Sequence, residues 1–140
     1  MKRIVFAFAL SNENIFINNI FGDADKFAIY QFSDGELIFI DEFQNPVPNP
    51  GNIDIKEKRE RIVSFLKSKD VTVLVSKQFS KNLRLVTDDF IPVLIEKENP
   101  EQVVEILNKN MKWIKDELKN RKSGHMLFRI NTGVLKLAIK

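Results

Sequence analysis

The chain has no cysteine and a single histidine, His125. Without cysteine there is no disulfide framework, no thiolate nucleophile and no sulfur ligand for zinc or an iron–sulfur centre. One histidine excludes any site built on two or more from one chain. No apolar run approaches the roughly 20 residues needed to span a bilayer. The apolar stretch Ile4–Leu10 after Met1-Lys2-Arg3 is short, and Ser11-Asn12-Glu13-Asn14 offers no small-residue cleavage site, so it reads as a buried strand and not as a signal peptide. A cytoplasmic location is expected.

What is there describes a soluble domain. Its 140 residues suffice for one core, with 44% hydrophobic and 29% charged residues. The net charge of +3 is unevenly placed: residues 108–140 carry +7 and the remainder −4. Such asymmetry suits an acidic partner or a nucleic acid, and equally the solvated face of a helix. Only Trp113 and Phe128 interleave with the C-terminal lysines, so stacking on bases has little support and nucleic-acid binding ranks last.

Hydrophobic periodicity places the elements. Ile4–Leu10 is apolar throughout, as in a central strand covered on both faces. Phe27–Phe32 and Leu37–Ile40 flank the turn Ser33-Asp34-Gly35-Glu36 and predict a hairpin, with Gly35 at positive φ. Gln44–Ile53, with Pro46, Pro48 and Pro50, is expected to be a surface loop. Asp54 is an N-cap candidate, with Glu57 completing a capping box, for a helix over Ile55–Ser68 whose inner stripe runs Ile55, Arg59, Ile62 and Leu66. Val71–Val75 predicts a buried strand. A short helix with Leu83, Val86 and Phe90 inward should follow, then an edge strand over Ile91–Ile95 that tolerates Pro92. Asn99-Pro100 starts a helix expected to run unbroken to about Lys122. The tail predicts a hairpin pairing Ile130 with Leu135, Phe128 with Leu137 and Met126 with Ile139, which would share one apolar face.

The order β-β-β-α-β-α-β predicts an α/β fold with a mixed five-stranded, ribonuclease H-like sheet and helices on its faces, plus a C-terminal helix and hairpin. Residues 1–97 would form the main unit. Residues 98–140 would be an extension packed on it or on a partner subunit. A nuclease is excluded, because Ile4–Leu10 carries no acid for two-metal chemistry and Asp70, Asp88 and Asp89 form no cluster with it. No Walker loop, no Gly-x-Gly-x-x-Gly and no catalytic triad occur.

Phe21-Gly22-Asp23-Ala24-Asp25-Lys26-Phe27 resembles the Phe-Gly-x-Ala-x-x-Phe segment of the dinitrogenase iron–molybdenum cofactor biosynthesis family. Asn45-Pro46 is similar to that family's Asn-Pro, and Ser80-Lys81-Asn82 to its Gly-x-Asn turn. The resemblance spans about residues 2–96. It implies a non-enzymatic binding or carrier protein for an iron–molybdenum or iron–sulfur cluster, with cluster-donor or acceptor proteins as partners. The histidine that the family usually has before Phe-Gly is Ile20 here.

The Gly22 loop and the Ser80–Asn82 turn are expected to meet at one end of the sheet, where a helix N-terminus would offer amide donors and Lys26, Lys77 and Lys81 would add charge. Gly22 is expected to contribute backbone freedom. Phe21, Gly22, Asp23, Ser80, Lys81 and Asn82 are the candidate cofactor-binding residues; none is assigned as catalytic or as a metal ligand. Asp23 and Asp25 alone are too few for a hard cation and suit turns or caps. His125 reads as a loop residue at a helix–strand junction. A second reading is a protein-interaction module without a cofactor, dimeric through the C-terminal hairpin.

Overall fold

The computed structural model describes residues 3–47, 54–131 and 134–137. Strand β1 (Ile4–Leu10) is buried at every position. Because successive side chains point to opposite faces, Phe6 and Phe8 enter one core and Val5, Ala7 and Ala9 the other. A strand apolar on both faces must be interior, and β1 lies between antiparallel β2 (Lys26–Ser33) and parallel β4 (Val73–Ser76). With β3 (Glu36–Gln44), β5 (Ile91–Leu94), β6 (Leu127–Ile130) and β7 (Val134–Leu137), they form a seven-stranded mixed sheet ordered β3-β2-β1-β4-β5-β6-β7. The sheet therefore has two strands more than the five expected, because the C-terminal hairpin joins its edge instead of covering a face.

Three α-helices accompany the sheet among the described residues: α1 (Ile55–Ser68), α2 (Pro100–Lys109) and α3 (Met111–Asn120). Ile62 and Leu66 of α1 join the core of Val5, Ala7 and Ala9, whereas Val103, Leu107, Met111 and Ile114 of α2 and α3 join that of Phe6 and Phe8. The local signals for helix starts hold. Asp54 caps α1 by accepting from Glu57 N at 2.7 Å, and Asn99 caps α2 by accepting from Glu101 N at 2.8 Å, with Pro100 next. The β2–β3 turn places Gly35 at φ +87°, and Gln44 belongs to β3 and not to the loop after it. Pro48–Ile53 of that expected loop lies outside the described residues, as does Ile139.

Four expectations need correction. The helix from Asn99 is broken at Asn110 (φ −118°, ψ 15°), whose side-chain amide donates to Ile106 O at 2.8 Å and whose N–H donates three residues back, to Leu107 O. This local competition for carbonyls ends α2 at Lys109, and α3 restarts at Met111. The segment after β4 contains only a 3-10 turn, Leu83–Val86, although Leu83 and Phe90 are buried as expected. Pro92 is not on an edge: β5 runs between β4 and β6. Ile91 N and Ile95 N donate toward the β4 side, to Thr72 O and Ser76 O. The ring nitrogen of Pro92 thus faces the β6 side, where pairing begins only at Val93.

The fourth correction concerns the hairpin register. The pairs are Phe128 with Lys136, Arg129 with Leu135 and Ile130 with Val134, one residue off the expected alignment. A one-residue slip exchanges the faces, so Lys136 and Val134 accompany buried Phe128 and Ile130, and Leu135 is exposed. Lys136 has a reason to be there. Its Nζ lies 5.3 Å from the Phe128 ring centroid and 3.6 Å from Oε1 of Glu117, a carboxylate buried to 1% exposure at the end of α3. Nδ1 of His125, itself buried, hydrogen-bonds Glu117 Oε2 at 2.8 Å, and Arg121 Nε stands at 3.6 Å from the same oxygen. His125 does lie in the loop between α3 and β6, as expected, but its buried ring makes it an anchor between them. Removing Glu117 leaves the buried His125 Nδ1 without its partner, whereas Arg121 and Lys136 can turn to solvent. Glu117→Ala should cost about 1–3 kcal/mol, read by urea unfolding.

Tyr30, the only tyrosine, stacks on Phe8 at 4.3 Å between ring centroids. Burial, with the charges of Glu101 and Glu42, raises its phenol above the ordinary value. The folded chain then keeps its proton at a pH where the unfolded chain has lost it. This contribution is absent below the unfolded pKa of about 10 and lowers stability as pH rises above it. Tyrosinate absorbance should accordingly appear at higher pH in the folded than in the urea-unfolded protein.

Candidate functional site

The segment before β2 is a built loop. Phe21–Asp23 forms one 3-10 turn, closed by Asp23 N donating to Ile20 O at 3.0 Å. Phe21 N donates to Gln78 O at 3.0 Å, so the loop is stitched to the chain leaving β4. Phe21 is buried, with Phe27 and Phe79 stacked at 4.9 and 5.9 Å between centroids. Asn45, just beyond β3, completes the fastening. Its side-chain amide donates to Gly22 O at 2.9 Å and to Ala24 O at 2.8 Å, while its Oδ1 accepts from Val47 N at 2.9 Å. The Asn-Pro noted in the sequence thus holds the Gly22 loop to the end of β3.

The loop forms one wall of a cavity of about 450 Å³. Helix α1 supplies the second wall, with Lys58, Arg59, Ile62, Val63 and Leu66, and the turn Phe79–Leu83 the third. Gly22 needs no unusual backbone, since its φ is not positive and a Cβ there would meet Ile62 Cδ1 at 3.5 Å, an ordinary contact. The expected backbone freedom is not used. A larger side chain at position 22 would instead point at Ile62 and Lys58, two cavity-lining residues.

Five of the six candidate residues, Phe21, Gly22, Asp23, Ser80 and Asn82, line this cavity; Lys81 does not. The loop and the Ser80 turn do meet, as expected. The anion site imagined at a helix N-terminus is not formed, because the 3-10 turn Leu83–Val86 is too short to carry one. Two of the three expected lysines are engaged elsewhere, and Lys81 is exposed outside the cavity lining. Lys26 pairs with Glu42 at 2.8 Å and with Asn14, and Lys77 bonds Asn18 at 2.5 Å and Glu98 at 3.5 Å. Asp23 is neutralised by Lys58 at 2.6 Å, and Asp25 accepts from Asn12 N at 3.0 Å, a turn role.

Sequence reasoning did not assign α1 to the site. The signal was present: Arg59 stands within the apolar stripe Ile55, Ile62, Leu66, where packing alone has no use for a cation. Among the described residues no acidic side chain forms an ion pair with Arg59.

A family model described as dinitrogenase iron-molybdenum cofactor matches residues 2–112. The chain belongs to that family. The match runs beyond residue 96 through α2 into the start of α3, and the curated proteins contain no match. Membership connects the protein with carriage or biosynthesis of the iron-molybdenum cofactor. The cavity lining, however, does not fit a directly ligated cluster. Ile20 stands at its rim where the family resemblance calls for histidine, no thiolate exists in the chain, and His125 is bound to Glu117. Among the described residues no group of three or more His, Cys, Asp or Glu could hold a metal ion.

Asn45→Ala should destabilise the fold by about 2–4 kcal/mol in urea titration, since it strips hydrogen bonds from two loop carbonyls and an amide at a buried site.

Proposed function

We propose that this protein is a non-enzymatic binding and carrier member of the iron-molybdenum cofactor family, holding its cargo by shape and outer contacts in place of side-chain ligation. The carrying observation is the cavity of about 450 Å³ enclosed by the Gly22 loop, α1 and the Phe79–Leu83 turn, with Ile20 at its rim. Small-molecule sites are commonly concave, about 300–1,000 Å³ and mainly apolar with a few polar groups. Phe21, Gly22, Asp23, Ser80 and Asn82 are the contact residues from the original set, and Lys81 is left as a surface neighbour. The non-enzymatic reading draws its support from the family, whose description names a cofactor and not a reaction.

A ribonuclease H-like core over residues 1–97 is supported by the contiguous order β3-β2-β1-β4-β5, antiparallel across β1–β3 and parallel across β1, β4 and β5. Residues 98–140 are then an extension on the same domain, because α2 and α3 enter its core and β6 pairs with β5. A second reading, self-association, is favoured by a specific surface. Edge strand β3 exposes Ile38, Phe39 and Ile40, and exposed apolar edges are templates for pairing. A cytoplasmic protein working with cluster-donating or accepting partners completes the reading. No helix among the described residues is long and apolar enough to cross a membrane.

The test is anaerobic incubation with an iron-molybdenum cluster that carries its own small-molecule ligands, then desalting and metal analysis. Co-elution of metal with the protein is expected, abolished by Gly22→Leu and insensitive to replacement of His125. Absence of metal and of cluster absorbance from the protein fraction defeats the cluster-carrier reading. Dimer mass by light scattering, lost on Phe39→Lys, would favour the second.

A further inference from the structure

The cavity wall has a charge pattern more specific than its family membership. Of the two cations on it, Lys58 is neutralised by Asp23 at 2.6 Å. Arg59 is not: no acid among the described residues pairs with it, and the stretches outside them, 1–2, 48–53, 132–133 and 138–140, contain no Asp or Glu. The remainder of the wall is carbon-rich, built from Ile20, Phe21, Ile62, Phe79, Leu83 and Phe90 among others. Ser80 and Asn82 are the uncharged polar groups, and the Asn82 side chain makes no hydrogen bond within the described residues.

We infer that the cavity binds an organic monoanion with an apolar body, a carboxylate on an alkyl chain or ring, with its head on Arg59 and its body against the phenylalanines. A guanidinium matches a carboxylate by two parallel N–H···O bonds and is weakly hydrated, so it suits a head group at an apolar wall. The charge count argues for one negative charge. A phosphate or polyphosphate calls for several cations or a glycine-rich amide cradle, and here the lining offers one arginine without an acidic partner. A neutral ligand would leave that cation against carbon without a counter-charge. Gly22 belongs to the same design. Its Cβ would be tolerated by the backbone, so the missing side chain keeps space open beside Ile62 and Lys58. The inference rests on the carrier reading only in taking this cavity as the binding site; the ligand it names is organic and enters in place of a cluster.

The experiment uses the full chain with sodium decanoate and, separately, decanol as the uncharged analogue, each followed by calorimetry and by amide chemical-shift mapping. Decanoate should bind one per chain, with shifts concentrated at Phe21–Asp23, Arg59–Val63 and Phe79–Leu83. Arg59→Gln should weaken decanoate about tenfold, the loss of one charge-assisted contact, and leave decanol unchanged. Gly22→Leu should weaken both, and Gly22→Ala, the gentler variant, should do so to a smaller degree. Equal affinity of the Arg59→Gln variant for decanoate overturns the inference while leaving the cavity as a binding site. Shifts confined to Ile38–Ile40 of β3, or no binding at all, also overturn it. The carrier reading is judged separately by metal co-elution, so the two can fail independently.

Discussion

Everything in this fold depends on β1 being apolar at seven consecutive positions. Such a strand cannot tolerate water on either side, so it needs a strand on each edge and a helical layer on each face. Its two sets of side chains are the seeds of two cores. Phe6 and Phe8 collect α2, α3, β5 and β6, and Val5, Ala7 and Ala9 collect α1 and the Gly22 loop. The cavity is a consequence of the second core. Ile62 and Leu66 close the C-terminal part of α1 on the sheet, whereas Ile55 at its start remains 76% exposed at the cavity rim. Helix, loop and turn enclose a space where the helix does not close down.

That arrangement gives the family motif a physical meaning different from the one its residues first suggest. Glycine at position 22 reads as a backbone hinge, yet it sits in an unstrained 3-10 turn, and its contribution is the volume it does not occupy. Asn45 reads as a turn residue beside Pro46, yet its amide is what holds Gly22 and Ala24 in place. Ile20 lines the cavity and offers it an apolar side chain with no donor for a metal.

The C-terminal part obeys a different constraint. Glu117 is nearly inaccessible, and His125, Arg121 and Lys136 converge on it from α3, the following loop and β7. A buried carboxylate requires such compensation. In the register the hairpin adopts, Lys136 reaches toward Glu117 from the surface and Leu135 stands in solvent.

Local chemistry was legible from the residues alone. Strand β1, the span of α1, the caps Asp54 and Asn99 and the positive φ at Gly35 follow from patterns a few residues long, and the Phe-Gly-x-Ala-x-x-Phe segment marked the family. Each depends on neighbours in sequence. The tertiary structure decided what depends on partners far along the chain: the addition of β6 and β7 to the sheet edge, the register of their hairpin, and the interior position of Pro92 between two parallel strands. It also decided the composition of the cavity. Arg59 on an apolar stripe was visible in the sequence. Whether that cation has a counter-charge depends on which acids reach it through space, and spacing along the chain does not encode that distance.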